Sequence, residues 1–163
     1  MLQRKQTLWL ALILFITFSS VSLDIYFYEI EGKLDGKVLE DANAQVGFSQ
    51  TTITIEKVKE RHHSNTFLKY VTLLVGLLAL ASIVLFKQRD KQIVLTKLIY
   101  LMLFVMAGLM YYYGWSKRYV DLQPDGQITI SIIFPLILAW ANFKAIKGIK
   151  HDDNLVKSYD RIR

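Results

Sequence analysis

Tyr70-Val-Thr-Leu-Leu-Val-Gly-Leu-Leu-Ala-Leu-Ala-Ser-Ile-Val-Leu-Phe86 holds no charged residue, and Lys69 and Lys87 bracket it. A helix on the surface of a soluble domain keeps a polar face toward water. This stretch is apolar on every side, as a helix surrounded by hydrocarbon must be. Gln6–Leu23, Leu98–Ser116 and Gly126–Phe143 have the same character. Each of the four runs is roughly 17 to 19 residues long, near the ~20 needed to cross a bilayer core as a helix. At about 1.5 Å rise per residue the shortest covers only ~25 Å of a ~30 Å core, and flanking lysines can snorkel to the headgroups. The 163-residue chain is 53% hydrophobic and 21% charged, with no cysteine. Its charges are gathered between the runs rather than spread as in a soluble domain. That distribution excludes a soluble nucleic-acid binder, a disulfide scaffold and a disordered chain, and without cysteine there is no lipoprotein anchor.

The sequence therefore predicts an α-helical integral membrane protein, a four-transmembrane-helix bundle with spans at 7–23, 67–86, 93–115 and 128–146. The first run follows Arg4 and Lys5 and precedes Ser20-Val-Ser22, which has elements of a secretory signal peptide. Its charge-free core exceeds the usual ~7–15 residues, so it is read as a retained span. Pro135, inside the fourth run, is expected to kink that helix and free the carbonyl of Ser131.

Orientation follows from lysine and arginine. The N-terminus, the connection Lys87–Lys97 and the segment Lys144–Arg163 hold twelve basic and four acidic residues; the opposite side holds eight basic and ten acidic. The positive-inside rule places both termini in the cytoplasm. The net charge of +6 then reflects topology and anionic lipid, not nucleic acid. Tyr111-Tyr-Tyr-Gly-Trp115 falls at the outer interface, where amphipathic rings prefer to sit.

The outer segments, 24–66 and 116–127, carry strand signals. Ile25–Ile30 and Thr52–Glu56 alternate with β-branched and aromatic residues, Asp35-Gly36 reads as a tight hairpin turn, and Tyr119–Leu122 precedes the turn at Pro124-Asp125-Gly126. A small antiparallel β-sheet of about three to five strands is expected on the extracytoplasmic end of the bundle. Lys57–Ser64 reads as a turn of helix or a loop. On the inner side lie a short loop, 87–92, and a tail, 147–163. Asp152 or Asp153 is expected to N-cap a short, separate amphipathic helix with Leu155, Tyr159 and Ile162 as its apolar stripe. So short a helix must dock on lipid, on the bundle or on another protein.

Chemistry is sparse. None of the four runs contains a charge, which argues against an ion or proton pathway. Thr17, Ser19, Ser20, Ser22, Thr72, Ser82, Thr129 and Ser131, with Asn142 near the inner end of the fourth span, are the intramembrane polar groups, and such groups usually bond to backbone or pack across helices. Ser131 beside Pro135 is the best position for lining a groove. Glu56, Glu60 and His63 would share a face if that stretch were helical, yet a zinc site needs three or four ligands held by supporting bonds, and an interfacial polar role is the better reading. Asp24, Glu29 and Glu31 read as solvated loop and strand-edge carboxylates rather than an acid–base pair. No catalytic motif or phosphate-binding glycine loop occurs. No catalytic residue, cofactor or metal is expected.

Met1-Leu-Gln-Arg-Lys-Gln-Thr7, leading into Leu-Trp-Leu, resembles the start of a bacterial four-helix inner-membrane family catalogued as domain of unknown function 4293. Ala141-Asn142, Ala145-Ile146-Lys147 and Leu155-Val-Lys-Ser-Tyr-Asp-Arg-Ile-Arg163 resemble its ending. The resemblance implies a bacterial cytoplasmic-membrane protein and carries over no catalytic residue. An outer sheet on four helices is also similar to claudin-type topology, without the paired extracellular cysteines of that group.

The leading expectation is a non-enzymatic accessory or scaffold subunit that binds other membrane proteins through Leu155, Tyr159, Arg161, Ile162 and Arg163 and through the outer sheet. The alternative is binding of lipid or a small apolar solute in a groove at Ser131 and Pro135. A lipid-modifying enzyme using outer carboxylates or His62 and His63 comes third.

Overall fold

The computed structural model describes residues 5–31, 43–55, 59–116 and 126–160. Four helices dominate it: α1 (Lys5–Ser22), α2 (Thr66–Val84), α3 (Arg89–Tyr111) and α4 (Phe134–Asp160). Each turns the same kind of stripe inward. Buried positions recur at alternating steps of four and three: Gln6, Leu10, Ile13, Thr17 and Ser20 on α1; Leu68, Thr72, Val75, Ala79 and Ser82 on α2; Gln92, Thr96, Ile99, Leu103, Met106 and Met110 on α3. That spacing is the seam of a left-handed bundle. On α4 the stripe runs Leu138, Ala141, Ala145 and Ile149, so the small pair Ala141 and Ala145 lies in the interface. Each helix packs on two neighbours, α1 on α2 and α4, and α3 on α2 and α4, closing a ring.

The outer faces stay apolar. Thr66–Val84, Arg89–Trp115 and Ile130–Leu155 are long and apolar enough to cross a membrane, and a third or less of each apolar window is buried (33%, 28% and 28%). Gln6–Ser22 is a shorter apolar helix.

At one end of the bundle sits an antiparallel sheet with five strands among the described residues: β1 (Tyr26–Glu31), β2 (Asn43–Gly47), β3 (Gln50–Ile55), β4 (Lys59–Ser64) and β5 (Gly126–Ile128), in the order β4-β3-β2-β1-β5. A bulge between Tyr26 and Tyr28 shifts the β1–β2 register, and the consecutive residues Phe27 and Tyr28 are both buried. Phe27 meets Phe48 at 5.4 Å between ring centroids, and Phe48 meets Phe134 of α4 at 5.9 Å. Asn65 is a fully buried pin between sheet and α2: its Nδ2 donates to the Gly47 carbonyl at 2.8 Å and to Thr51 Oγ1 at 2.9 Å.

Several expectations need correction here. Lys59–Ser64 is an edge strand, not helix or loop. Its polar composition hides it from any alternation rule, because an edge strand exposed to water needs no apolar face. The last described strand lies at Gly126–Ile128, where it pairs with Tyr28–Ile30. Tyr119–Leu122 and the Asp35-Gly36 turn lie outside the described residues, although the strands that turn would join pair antiparallel.

Pro135 does not kink a helix. A 3₁₀ turn (Ile130–Ile133) precedes α4, and Pro135 is the second residue of α4, where a missing N–H costs no helix bond. The Ser131 carbonyl accepts from the Phe134 N–H instead. No separate tail helix forms either. α4 runs unbroken to Asp160, so Asp152 and Asp153 are interior residues rather than caps. Nothing between Lys147 and Leu155 stops a helix: there is no proline, and a single glycine is tolerated.

Candidate functional site at the termini end of the bundle

Opposite the sheet, the start of α1 meets α4. Trp9 packs edge-on against Trp140, with ring centroids 4.9 Å apart. A Cβ on Gly148 would stand 3.1 Å from Gln6 Cβ. Here every helix contributes an uncharged polar side chain to the interior: Gln6, Ser82, Gln92 with Thr96, and Asn142, each no more than 3% exposed. Gln92 Nε2 donates to the Ser82 carbonyl at 2.6 Å, which caps a carbonyl in the last turn of α2. Asn142 Nδ2 donates to the Thr96 carbonyl at 2.8 Å, fixing α4 against α3. Gln6 Oε1, Ser82 Oγ, Gln92 Oε1 and Asn142 Oδ1 are buried polar atoms without a hydrogen-bond partner among the described residues.

Sequence reasoning counted Ser82 and Asn142 but missed Gln6 and Gln92. The signal was present: Gln6 stands four residues before Leu10 and Gln92 four before Thr96, so both continue an inward stripe. Gln6 and Asn142 also lie in the two stretches that carry the family resemblance, and α1–α4 packing brings those stretches together.

Of the candidate partner residues, Leu155 is 46% exposed on α4 and Tyr159 lies in the same helix. Arg161, Ile162 and Arg163 lie outside the described residues. The inward stripe of α4 passes through Ile149 and, by helix phase, on to Asp152, so Leu155 stands off it. On the outward side, Lys144 Nζ lies 5.3 Å from the Trp140 ring centroid. Phe143, Ile146, Lys147, Lys150, His151 and Asn154 line an open groove of about 340 Å³.

Ser131 and Pro135, the positions expected to line a groove, lie where α4 begins beneath the sheet. Ser131 is buried and its hydroxyl donates to the Tyr26 carbonyl of β1; Pro135 is buried as well. Thr17, Ser20 and Thr72 hydroxyls likewise donate to backbone carbonyls of their own helices at 2.8–3.0 Å.

The outer carboxylates are engaged in structure. Asp24, with φ of 46°, accepts from the Ser49 and Gln50 N–H groups at 2.9 and 3.2 Å. Glu29 Oε1 accepts from Asn43 Nδ2 at 2.7 Å and Gln45 Nε2 at 3.1 Å. His62 and His63 are exposed successive residues of a strand, which point to opposite faces. His62 Nδ1 is 3.3 Å from Thr52 Oγ1. Glu60 and His63 therefore lie on a strand rather than on a helical face, and Glu56 lies outside the described residues. Among the described residues no three His, Asp or Glu side chains gather as metal ligands would.

No curated protein and no solved structure matches the chain. The sequence model of one family matches residues 2–162, almost the whole length. The chain belongs to that family, described as Domain of unknown function (DUF4293).

Proposed function

We propose that the chain is a non-enzymatic polytopic protein of the bacterial cytoplasmic membrane, with four spans and both termini cytoplasmic, serving as an accessory or scaffold subunit for other membrane proteins. One observation carries this reading: among the described residues α4 outruns its neighbours. Tyr100 Oη donates to the Ala139 carbonyl and Asn142 Nδ2 to the Thr96 carbonyl, an antiparallel register that sets Arg89, the start of α3, near the level of Ile149. Gln6 meets α4 at Gly148. Beyond that level α4 continues for about 16 Å at ~1.5 Å per residue, carrying exposed Leu155. Helix of that length with an exposed apolar residue gains most of its stability from a docking surface. Supporting the non-enzymatic reading, Asp24 and Glu29 are tied into strand and turn bonds, and among the described residues no charged side chain is buried. The groove alternative finds no support at Ser131 and Pro135, both buried.

The test is affinity capture of the full chain from native membranes in mild detergent, with mass spectrometry. A protein recovered at fixed stoichiometry with the parent, and lost from Tyr159→Ala/Ile162→Ala at unchanged thermal midpoint, is the expected result. A parent recovered alone, or a variant that keeps every partner, overturns the reading of the tail.

A further inference from the structure

The outward stripe of α4 has its own chemistry. Phe143, Ile146, Lys147, Lys150, His151 and Asn154 follow steps of three and four along one helix face. The composition of that face changes along its length. Phe143, which ends the charge-free run, and Ile146 are apolar; Lys147 and Lys150, both exposed, come next with His151. Lys144 and Trp140 flank the stripe as a cation over an indole, 5.3 Å apart. Of the carboxylates nearest in sequence, Asp152 continues the inward stripe of Ala145 and Ile149 by helix phase, while Asp153 stands three residues from Lys150, between that stripe and the groove.

We infer that this groove binds one anionic phospholipid, with an acyl chain along Phe143 and Ile146 and the headgroup phosphate between Lys147 and Lys150. The order of the groove matches that of the ligand: hydrocarbon, then cations at headgroup level beside an indole that favours the interface. Each lysine near an anionic surface contributes roughly a fivefold preference for negative lipid, and two on adjacent turns act on one phosphate. A zwitterionic lipid presents the same phosphate with its own ammonium beside it, so the preference depends on net negative charge. The inference rests on the membrane reading above.

Tryptophan quenching tests both and separates them. Trp115, the third tryptophan, lies at the sheet end against Tyr28, so Trp115→Phe leaves only Trp9 and Trp140, beside the groove. The full-length Trp115→Phe chain is reconstituted into phosphatidylcholine vesicles containing brominated phosphatidylglycerol or, at equal mole fraction, brominated phosphatidylcholine. The brominated anionic lipid is expected to quench at least about fivefold more effectively, and up to ~25-fold where both lysines act on the phosphate. Lys147→Glu/Lys150→Glu is expected to abolish that preference and Lys87→Glu/Lys91→Glu, at the same end but on other elements, to keep it. Equal quenching by the two lipids in chains that float with the vesicles overturns the inference, including the case in which a second copy or another protein covers the stripe. Equal loss of preference in both lysine pairs also overturns it, since general surface charge would then suffice. Chains that stay in the aqueous fraction and are quenched by neither lipid overturn the membrane reading instead.

Discussion

Gly76 shows how tightly the bundle is drawn together. A Cβ there would lie 2.6 Å from Thr17 Oγ1, and that hydroxyl is held by the Ile13 carbonyl at 2.9 Å and the Leu14 carbonyl at 3.0 Å. A β-branched side chain so anchored has no free rotamer to retreat into. Gly76→Ala is expected to destabilise the detergent-solubilised chain by about 1–3 kcal/mol. Thr17→Ala in the same chain should recover part of that loss, because it removes the obstructing oxygen. Thermal midpoints of the two variants and the parent measure this, and an unchanged midpoint in Gly76→Ala would show that the helices are not in close contact there. At this scale the sequence was only half legible. The spacing of Thr17, Thr72 and Ser82 marks them as inward residues, but nothing local says that Thr17 faces a glycine on the next helix. That is a property of the packing. Gln6 and Gln92 were hidden for a different reason: an uncharged amide beside charged residues at a helix end looks like surface.

Among the elements, the helices were the most legible, because a helix in water needs a polar face and four turns without a charge leave it none. Their ends were less so. Proline in an apolar run is ambiguous between a kink and a start, and only the 3₁₀ turn at Ile130–Ile133 decides for the start. Position separates the two in experiment. Pro135→Ala is expected to change stability by less than about 1 kcal/mol, whereas Leu138→Pro, one turn further into α4, should cost ~3 kcal/mol or more by removing a helix bond and clashing with the preceding turn. Helical content by circular dichroism and unfolding midpoint report both; a large loss in Pro135→Ala would mean that the ring does more than begin the helix. The strands divide in the same way. β1 and β3 alternate apolar and polar residues and could be read, while β4 is recognisable only through its ladder with β3, in which Thr52 pairs with His62 and Thr54 with Glu60. The tail misled because an aspartate pair before an apolar stripe is a fair cap signal, and helix continuity from the bundle outweighs it.

For the molecule as a whole, the proposed orientation makes a sharp prediction because the natural chain has no cysteine. A single cysteine at His63, exposed on β4, should react with a membrane-impermeant maleimide in intact cells. One at Lys91, exposed near the start of α3, should react only after permeabilisation. The reverse pattern would invert the topology, and labelling of both in intact cells would deny that the helices separate two compartments. Whole-molecule scale also shows why the β1–β5 pairing is a late event in synthesis, although β1 to β4 precede α2. β5 pairs with β1, and the Ser131 hydroxyl reaches the Tyr26 carbonyl across 105 residues of sequence. When β1 leaves the ribosome its β5 partner has not been made, and α2 and α3 must both be placed before it arrives. Long-range pairings of this kind are slow to form, because loop-closure entropy is spent before any contact is returned. A nascent chain stalled before Gly126 thus holds the Tyr28–Ile30 edge open, a strand template for chaperone or protease, and translation of the last helix is what withdraws it.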